Sequence, residues 1–319
     1  MDKQAIERIR KALTGAEGKR LAKEEAAAAQ GFDDGGAAAR RDAGKLARKA
    51  LASGKKADRF EALVKAQAKA AAERAREWQA AAVEQSKEGG KLLADQRAGL
   101  VRSLEVLAAL DPTVPSPSYH LLNTPFLIWP TNSVDLEASE IVPSNSSAKF
   151  RARIGKHKSF FGDVKFYYIW DNGTDKFAVI NADGYSIFHG TAFVGVGGGI
   201  FPANRAASVR LTATLQILEW WNQPPTSPLQ QTDQSAEIHN LRVSAGGFGE
   251  VGAIELRNVF RGSDLRHTLM LVPPRGVVVF AVTTAVAMGT GDDDGLAEVD
   301  FASGEFMVGS PAVLVTVLT

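Results

Sequence analysis

The sequence predicts an α+β protein whose two kinds of structure are segregated by domain: an Ala-rich helical, coiled-coil-like N-terminal part, then an antiparallel β-sandwich of the jelly-roll type. Three observations predict it. Residues 1–110 are written in Ala, Lys, Arg, Glu, Gln and Leu, all strong helix formers, with no proline before Pro112. Asp111-Pro112-Thr113-Val114-Pro115-Ser116-Pro117-Ser118 then sets three prolines in six residues, which cannot continue a helix and favour a stiff extended linker. From residue 119 to residue 319, short alternating apolar runs are cut by Gly, Pro, Asn and Asp at the spacing of an all-β domain.

In the first part, glycines punctuate the helix formers and predict helices over 2–14, 17–30, 37–53, 57–88 and 91–110. Up to residue 56 the apolar positions are mostly Ala, so these helices bury too little area to stand alone. Phe60, Leu63, Val64, Ala68, Ala71, Ala75, Trp78 and Ala82 recur at spacings of three and four and line one side of a helix. Leu93, Leu100 and Leu107 are seven apart, with Leu104 between the last two and Arg97 where another apolar residue is wanted. Two readings fit this short heptad-like stripe. It is either a helical hairpin packed on itself or on the β-domain, or a self-associating stalk, with Gly89-Gly90 as the hinge in both cases.

The second part predicts strands at 120–129, 134–142, 147–155, 163–171, 175–181, 185–195, 207–221, 236–245, 250–260, 266–273, 276–288, 296–301, 305–308 and 312–318. Phe166 to Trp170 stops at Asp171-Asn172-Gly173 and a second run starts at Lys176, the pattern of a hairpin. Val209, Leu211, Ala213, Leu215 and Ile217 alternate with polar residues. Gly276 to Met288 is apolar on both faces, which predicts a central strand buried on both sides or covered by the helices. The strand 312–318 is too apolar for a frayed terminus and belongs inside a sheet or a subunit contact.

Charge divides along the same line. Residues 1–116 hold 23 Lys and Arg against 17 Asp and Glu, leaving 14 against 19 for 117–319 out of totals of 37 and 36. A basic first part and an acidic second part can attract each other or face different partners. There is no cysteine, which excludes disulfides, thiolate metal sites and a thiol nucleophile. The charged start Met1-Asp2-Lys3-Gln4 is unlike a secretory signal, and Val277 to Met288 is too short to span a bilayer. The expectation is synthesis in the cytoplasm without a signal peptide, with export by another route or incorporation into a larger particle left open. No specific nucleic-acid motif is present.

Candidate sites follow from residue chemistry. Trp220, Trp221 and Asn222 end a long strand, and an exposed aromatic beside amides can grip a sugar ring, anchor a subunit or simply pack under a loop. Lys149, Arg151 and Arg153 put three cations on one strand face, suited to an anionic surface ligand or to the charged protection of an edge strand. Asp292, Asp293 and Asp294, with Glu298 and Asp300, offer oxygen ligands on a glycine-broken loop, which suits calcium, although the alternating ligand spacing of calcium loops is absent. The five histidines have no metal-ligand spacing, and Gly195 to Gly199 lacks the helix start that a phosphate loop needs. No catalytic set emerges. The function these features favour is a non-enzymatic, self-associating structural or binding protein, whose helical part oligomerises or attaches and whose β-head recognises a surface ligand such as a glycan. The alternative is a carbohydrate- or polymer-acting enzyme, using carboxylate pairs such as Asp171 with Glu219 or Glu250 with Glu255.

Overall fold

The computed structural model of the chain describes residues 3–31, 55–109, 117–130, 136–155, 158–196, 206–220, 230–244, 250–260, 265–291 and 295–318. The expected helix at 37–53 and most of the proline-rich linker lie outside them.

Two long helices replace four of the shorter ones expected. α1 (Lys3–Gly31) runs through Gly15, and α2 (Lys55–Ala108) runs through Gly89-Gly90 without a break. A glycine inside a helix costs only about 1 kcal/mol relative to alanine, so tertiary packing readily carries a helix across it. The hinge expected at Gly89-Gly90 is thus a close contact instead, described below.

Among the described residues strands make up most of the rest, all of them paired antiparallel, in three sheets. Sheet A orders β1 (Ser118–Leu122), β15 (Val313–Leu318), β6 (Ala178–Gly184) and β11 (Arg266–Val272). Sheet B orders β2 (Leu127–Pro130), β5 (Ser159–Asp171), β12 (Val277–Thr290), β8 (Ala206–Trp220) and β9 (Gln230–Ser244). Sheet C orders β10 (Glu250–Phe260), β7 (Ile187–Val196), β13 (Leu296–Asp300) and β4 (Ser147–Gly155). There β14 (Met307–Gly309) continues the lane of β13, and β3 (Leu136–Val142) lies on the far side of β4.

Side-chain alternation explains how these sheets face one another. Phe166, Tyr168 and Trp170 of β5, Val278, Phe280 and Val282 of β12, and Val209 to Ile217 of β8 turn one face of sheet B inward. They meet Phe150 and Ile154 of β4, Phe188 and Val194 of β7, and Ile180 and Val315 of sheet A in one core. The outer face of sheet B is also apolar at Tyr167, Leu218, Val279 and Ala281, and there Ile9 and Leu13 of α1 cover it. On the other side of the sandwich, Leu104 of α2 packs on Ala312 and Leu314 beside Tyr119 and Leu121. The expectation that the β12 segment is central and helix-covered holds, and β15 lies inside sheet A between β1 and β6.

The hairpin expected around Asp171-Asn172-Gly173 does not form. β5 pairs with β2 and β12 in sheet B, whereas β6 pairs with β11 and β15 in sheet A. The turn signal therefore marks a corner between sheets. Among the described strands, only β3 with β4 and β8 with β9 are consecutive strands that pair.

Candidate functional site

The corner after β5 frames a cleft of about 720 Å³ at one end of the sandwich. Three segments meet there: the start of β1 with Ser118 and His120, the corner from Trp170 to Ala178, and the last residues of β15, Val317 and Leu318. The corner is held by Asn172, whose side chain is buried. Its Nδ2 donates to the carbonyls of Lys176 (2.7 Å) and Pro273 (3.0 Å), and its Oδ1 accepts from the Thr174 hydroxyl (2.8 Å). Two backbone bonds, Asn172 N–H to Gly276 O at 2.9 Å and Arg275 N–H to Thr174 O at 3.2 Å, tie the same corner to the turn before β12. Asn172 and Thr174 thus spend their polar groups on the scaffold, and the scaffold holds Lys176 and Phe177 out at the rim.

Trp170 forms the cleft's inner wall, with His120 meeting it edge-on at a ring separation of 6.0 Å. Partial burial lowers the His120 pKa, so the ring is neutral at pH 7 and presents one donor and one acceptor nitrogen. Phe177 stands 65% exposed at the mouth, where an apolar ring would otherwise be expected to turn inward. Ser118, Asp171 and Lys176 supply a hydroxyl, a carboxylate and an ammonium around these rings. The arrangement combines apolar ring faces with separated donors and acceptors, which suits a ligand that is itself amphipathic.

The residues singled out from sequence fall elsewhere. β4 is flanked by β3 on one side and by β13 and β14 on the other, so the expected edge strand is interior to sheet C. Its cations face partners within the chain. Lys149 Nζ donates to the carbonyl of Gly304 (2.8 Å), Arg151 pairs with Asp300 (3.1 Å) and with the Ser303 hydroxyl, and Arg153 lies 3.8 Å from Glu298. Glu298 and Asp300 are thereby engaged. Glu298 also accepts from Gln79 of α2 at 3.0 Å, and Asp300 Oδ1 accepts the N–H groups of Ala302 and Ser303. Asp292, Asp293 and Asp294 lie outside the described residues, and among the described residues no group of three or more acidic or imidazole side chains is placed to hold a metal.

Trp220 ends β8, with its backbone opposite Val277, which in turn faces Asp171. Two strand spacings, about 9.6 Å, separate Trp220 from Asp171 at the end of the sheet where the cleft opens. Trp221 and Asn222 lie outside the described residues. The carboxylate pairs of the enzyme reading are not assembled. Glu219 shares its row with Val278 and Trp170 on one face of sheet B, while Asp171 belongs to the adjacent row with Val277 and Trp220. Glu250 and Glu255 both belong to β10 an odd number of residues apart, which is not the spacing that repeats on one face of a strand.

Trp170, His120, Phe177 and Lys176 carry the cleft, and none is among the candidates that the sequence singles out. The available signal was an aromatic residue directly before Asp-Asn-Gly, which reads equally well as the end of any strand.

No family model matches the chain, and no curated protein matches it. Among solved structures, TmCBM61 in complex with β-1,4-galactotriose is 8% identical, with 61% of this chain and 86% of that one covered at a TM-score of 0.18. CsCBM6-3 from Clostridium stercorarium in complex with cellobiose is 9% identical over 56% of this chain and 90% of its own, also at 0.18. A structure of infectious bursal disease virus, Gx strain, is 11% identical over 66% and 45% at 0.17. Superpositions this poor carry no argument about ligand or ancestry.

Proposed function

We propose that this is a non-enzymatic, self-associating binding protein whose β-sandwich head takes a saccharide in the cleft at Trp170, and whose helical part serves attachment. The supporting observation is the cleft's composition. A sugar ring offers apolar C–H faces and a girdle of hydroxyls. An aromatic wall of Trp170 and Phe177 with Ser118, Asp171, His120 and Lys176 around it is complementary to both. Binding in such an open cleft is weak per site, and self-association raises avidity by presenting several clefts to one surface.

The test is a glycan array followed by calorimetry on the full chain. Phe177→Ala and Lys176→Gln change side chains at the exposed rim and leave the fold intact. Each is expected to lower affinity for the selected glycan at least tenfold. Retained affinity in both variants, or no glycan bound by the wild type, overturns the reading.

A further inference from the structure

The outer face of sheet A carries an apolar strip that nothing in the chain's described residues covers. Phe177, Leu269 and Leu271 are 65%, 72% and 56% exposed. Register places them together. Leu271 lies opposite Val179, and Val179 lies opposite Leu318. Phe177, two residues before Val179, shares that face. Further along the same face, Leu314 is already covered by Leu104 of α2, so the uncovered strip begins where the helix contact stops.

Leu269 makes the strip more than a chance exposure. Its φ is +57°, a left-handed conformation that glycine or asparagine adopts at far less cost. It sits in a β-bulge between His267 and Met270, where its N–H is taken by Asn181 Oδ1 at 2.8 Å. The chain thus holds a bulky apolar residue in a strained conformation that sets it 72% in water. The same bulge spoils β11 as a template for edge-to-edge strand pairing, so a partner must meet the face of the sheet rather than its edge.

We infer that this strip is the contact between two copies of the chain, packed sheet A to sheet A about a two-fold axis. The inference rests on the reading that the protein self-associates, and places that association on the head. Two features select a second copy as the occupant. First, the charges are self-complementary. The strip is bounded at one end by the exposed pair Arg275 and Asp175 (3.0 Å) and at the other by Arg266 and Asp183 (2.5 Å). Asp183 is buried beneath its own Arg266, so an antiparallel two-fold brings the exposed Arg266 of one copy near the exposed Asp175 of the other. Second, the area fits. The three exposed side chains offer on the order of 400 Å² of apolar surface. A standard interface buries roughly 800 Å² per partner, a little over half of it non-polar, and the flanking Thr316, Asn181 and ion pairs supply the remainder. Because Phe177 and Leu318 belong to both strip and cleft, such a dimer brings its two clefts to adjoining positions.

Light scattering after size exclusion on the full chain tests this. Wild type is expected to run as a dimer or a multiple of it. Leu269→Asn, which suits the left-handed backbone, combined with Leu271→Gln is expected to halve that mass with an unchanged circular dichroism spectrum. Since the chain has no cysteine, Leu271→Cys alone supplies a second readout that survives any loss of solubility in the double variant: a short bis-maleimide should join two copies through that one position. A wild type that is monomeric at every concentration overturns both self-association and this surface. An oligomer that keeps its mass in the double variant, with no cross-link at Leu271→Cys, overturns the surface alone. A double variant that keeps its mass but loses glycan affinity makes the strip part of the ligand site instead, and also overturns the inference.

Discussion

Gly89 lies directly against His189: a Cβ built on the glycine would stand 2.7 Å from Cε1 of the imidazole and 3.2 Å from Nε2. His189 is buried, edge-on to Phe306 at a ring separation of 5.2 Å, and has no room to retreat. Gly90 is equally close to Glu305, and Ser86 one turn earlier accepts the N–H of Glu305 at 3.2 Å. The glycine pair is thus the notch by which α2 seats on sheet C.

Two alanine substitutions in the same helix should therefore have opposite signs. Gly99 has open space around it, and Gly99→Ala is expected to stabilise by about 0.5–1 kcal/mol through helix propensity alone. Gly89→Ala gains the same propensity but forces an overpacked contact costing about 1–3 kcal/mol, so the net effect is destabilising. Urea unfolding midpoints of the two variants decide it. If Gly89→Ala also stabilises, the helix is not seated there.

How α2 seats also accounts for what was legible in the sequence. The stripe through Leu93, Leu100, Leu104 and Leu107 is visible as periodicity, and so is its departure at Arg97, but its last member, Leu107, is exposed. Periodicity states that one side is buried and is silent on its cover, which here is the β-domain from Ala82 to Leu104 among the described residues. Strand positions were legible for the same local reason: β4 and β10 begin and end where alternation predicts. Pairing was not. Asp171-Asn172-Gly173 carries a hairpin signal, yet Asn172 spends its side chain on Pro273, a residue 101 positions away, and turns the chain into another sheet. The cleft inherits that non-locality, because Ser118 and Leu318 meet only through the register of β1 and β15 with β6. Arg151 and Asp300 belong by sequence to two separate candidate ligand sites, and in the fold they are each other's partners.

α1 is held by a buried ion pair. Glu17 Oε1 receives Lys165 Nζ at 2.7 Å and the Tyr167 hydroxyl at 2.8 Å, with both charged side chains less than a tenth exposed. Removing one partner strands the other charge in a dry site, so Lys165→Met and Glu17→Leu are each expected to cost about 3–5 kcal/mol. Lys165→Met with Glu17→Leu removes both charges and should recover most of that loss. A thermodynamic cycle over the single and double variants measures the coupling, and additive losses would show that the pair contributes nothing of its own.

β15 is flanked on both sides, by β1 over Ser118 to Leu122 and by β6 over Val179 to Gly184. Val313 and Val315 lie in the main core, and Leu314 anchors α2 from the other face. Deleting 312–319 strips a central strand from sheet A and unpairs β1 entirely. The truncated chain is expected to be insoluble, and a soluble product with the wild-type circular dichroism spectrum would contradict this placement.

Glu219 sits buried at the end of β8 in the row of Val278 and Trp170. Burial penalises its carboxylate and raises its pKa above the ordinary 4.5. In the unfolded chain the group loses its proton at that ordinary value, so above it the folded state binds more protons than the unfolded one. Stability from this residue is therefore fully present below pH 4.5 and is lost as pH rises through the folded pKa. Glu219→Gln keeps the shape and cannot ionise. Relative to wild type, its unfolding midpoint in urea is expected to rise steadily as pH is increased from the ordinary glutamate range to neutrality, and to level off once the wild-type carboxyl is fully ionised. A wild-type-to-variant difference that is flat across this range would mean that Glu219 titrates as it does in water, and that the end of β8 is wetter than its burial implies.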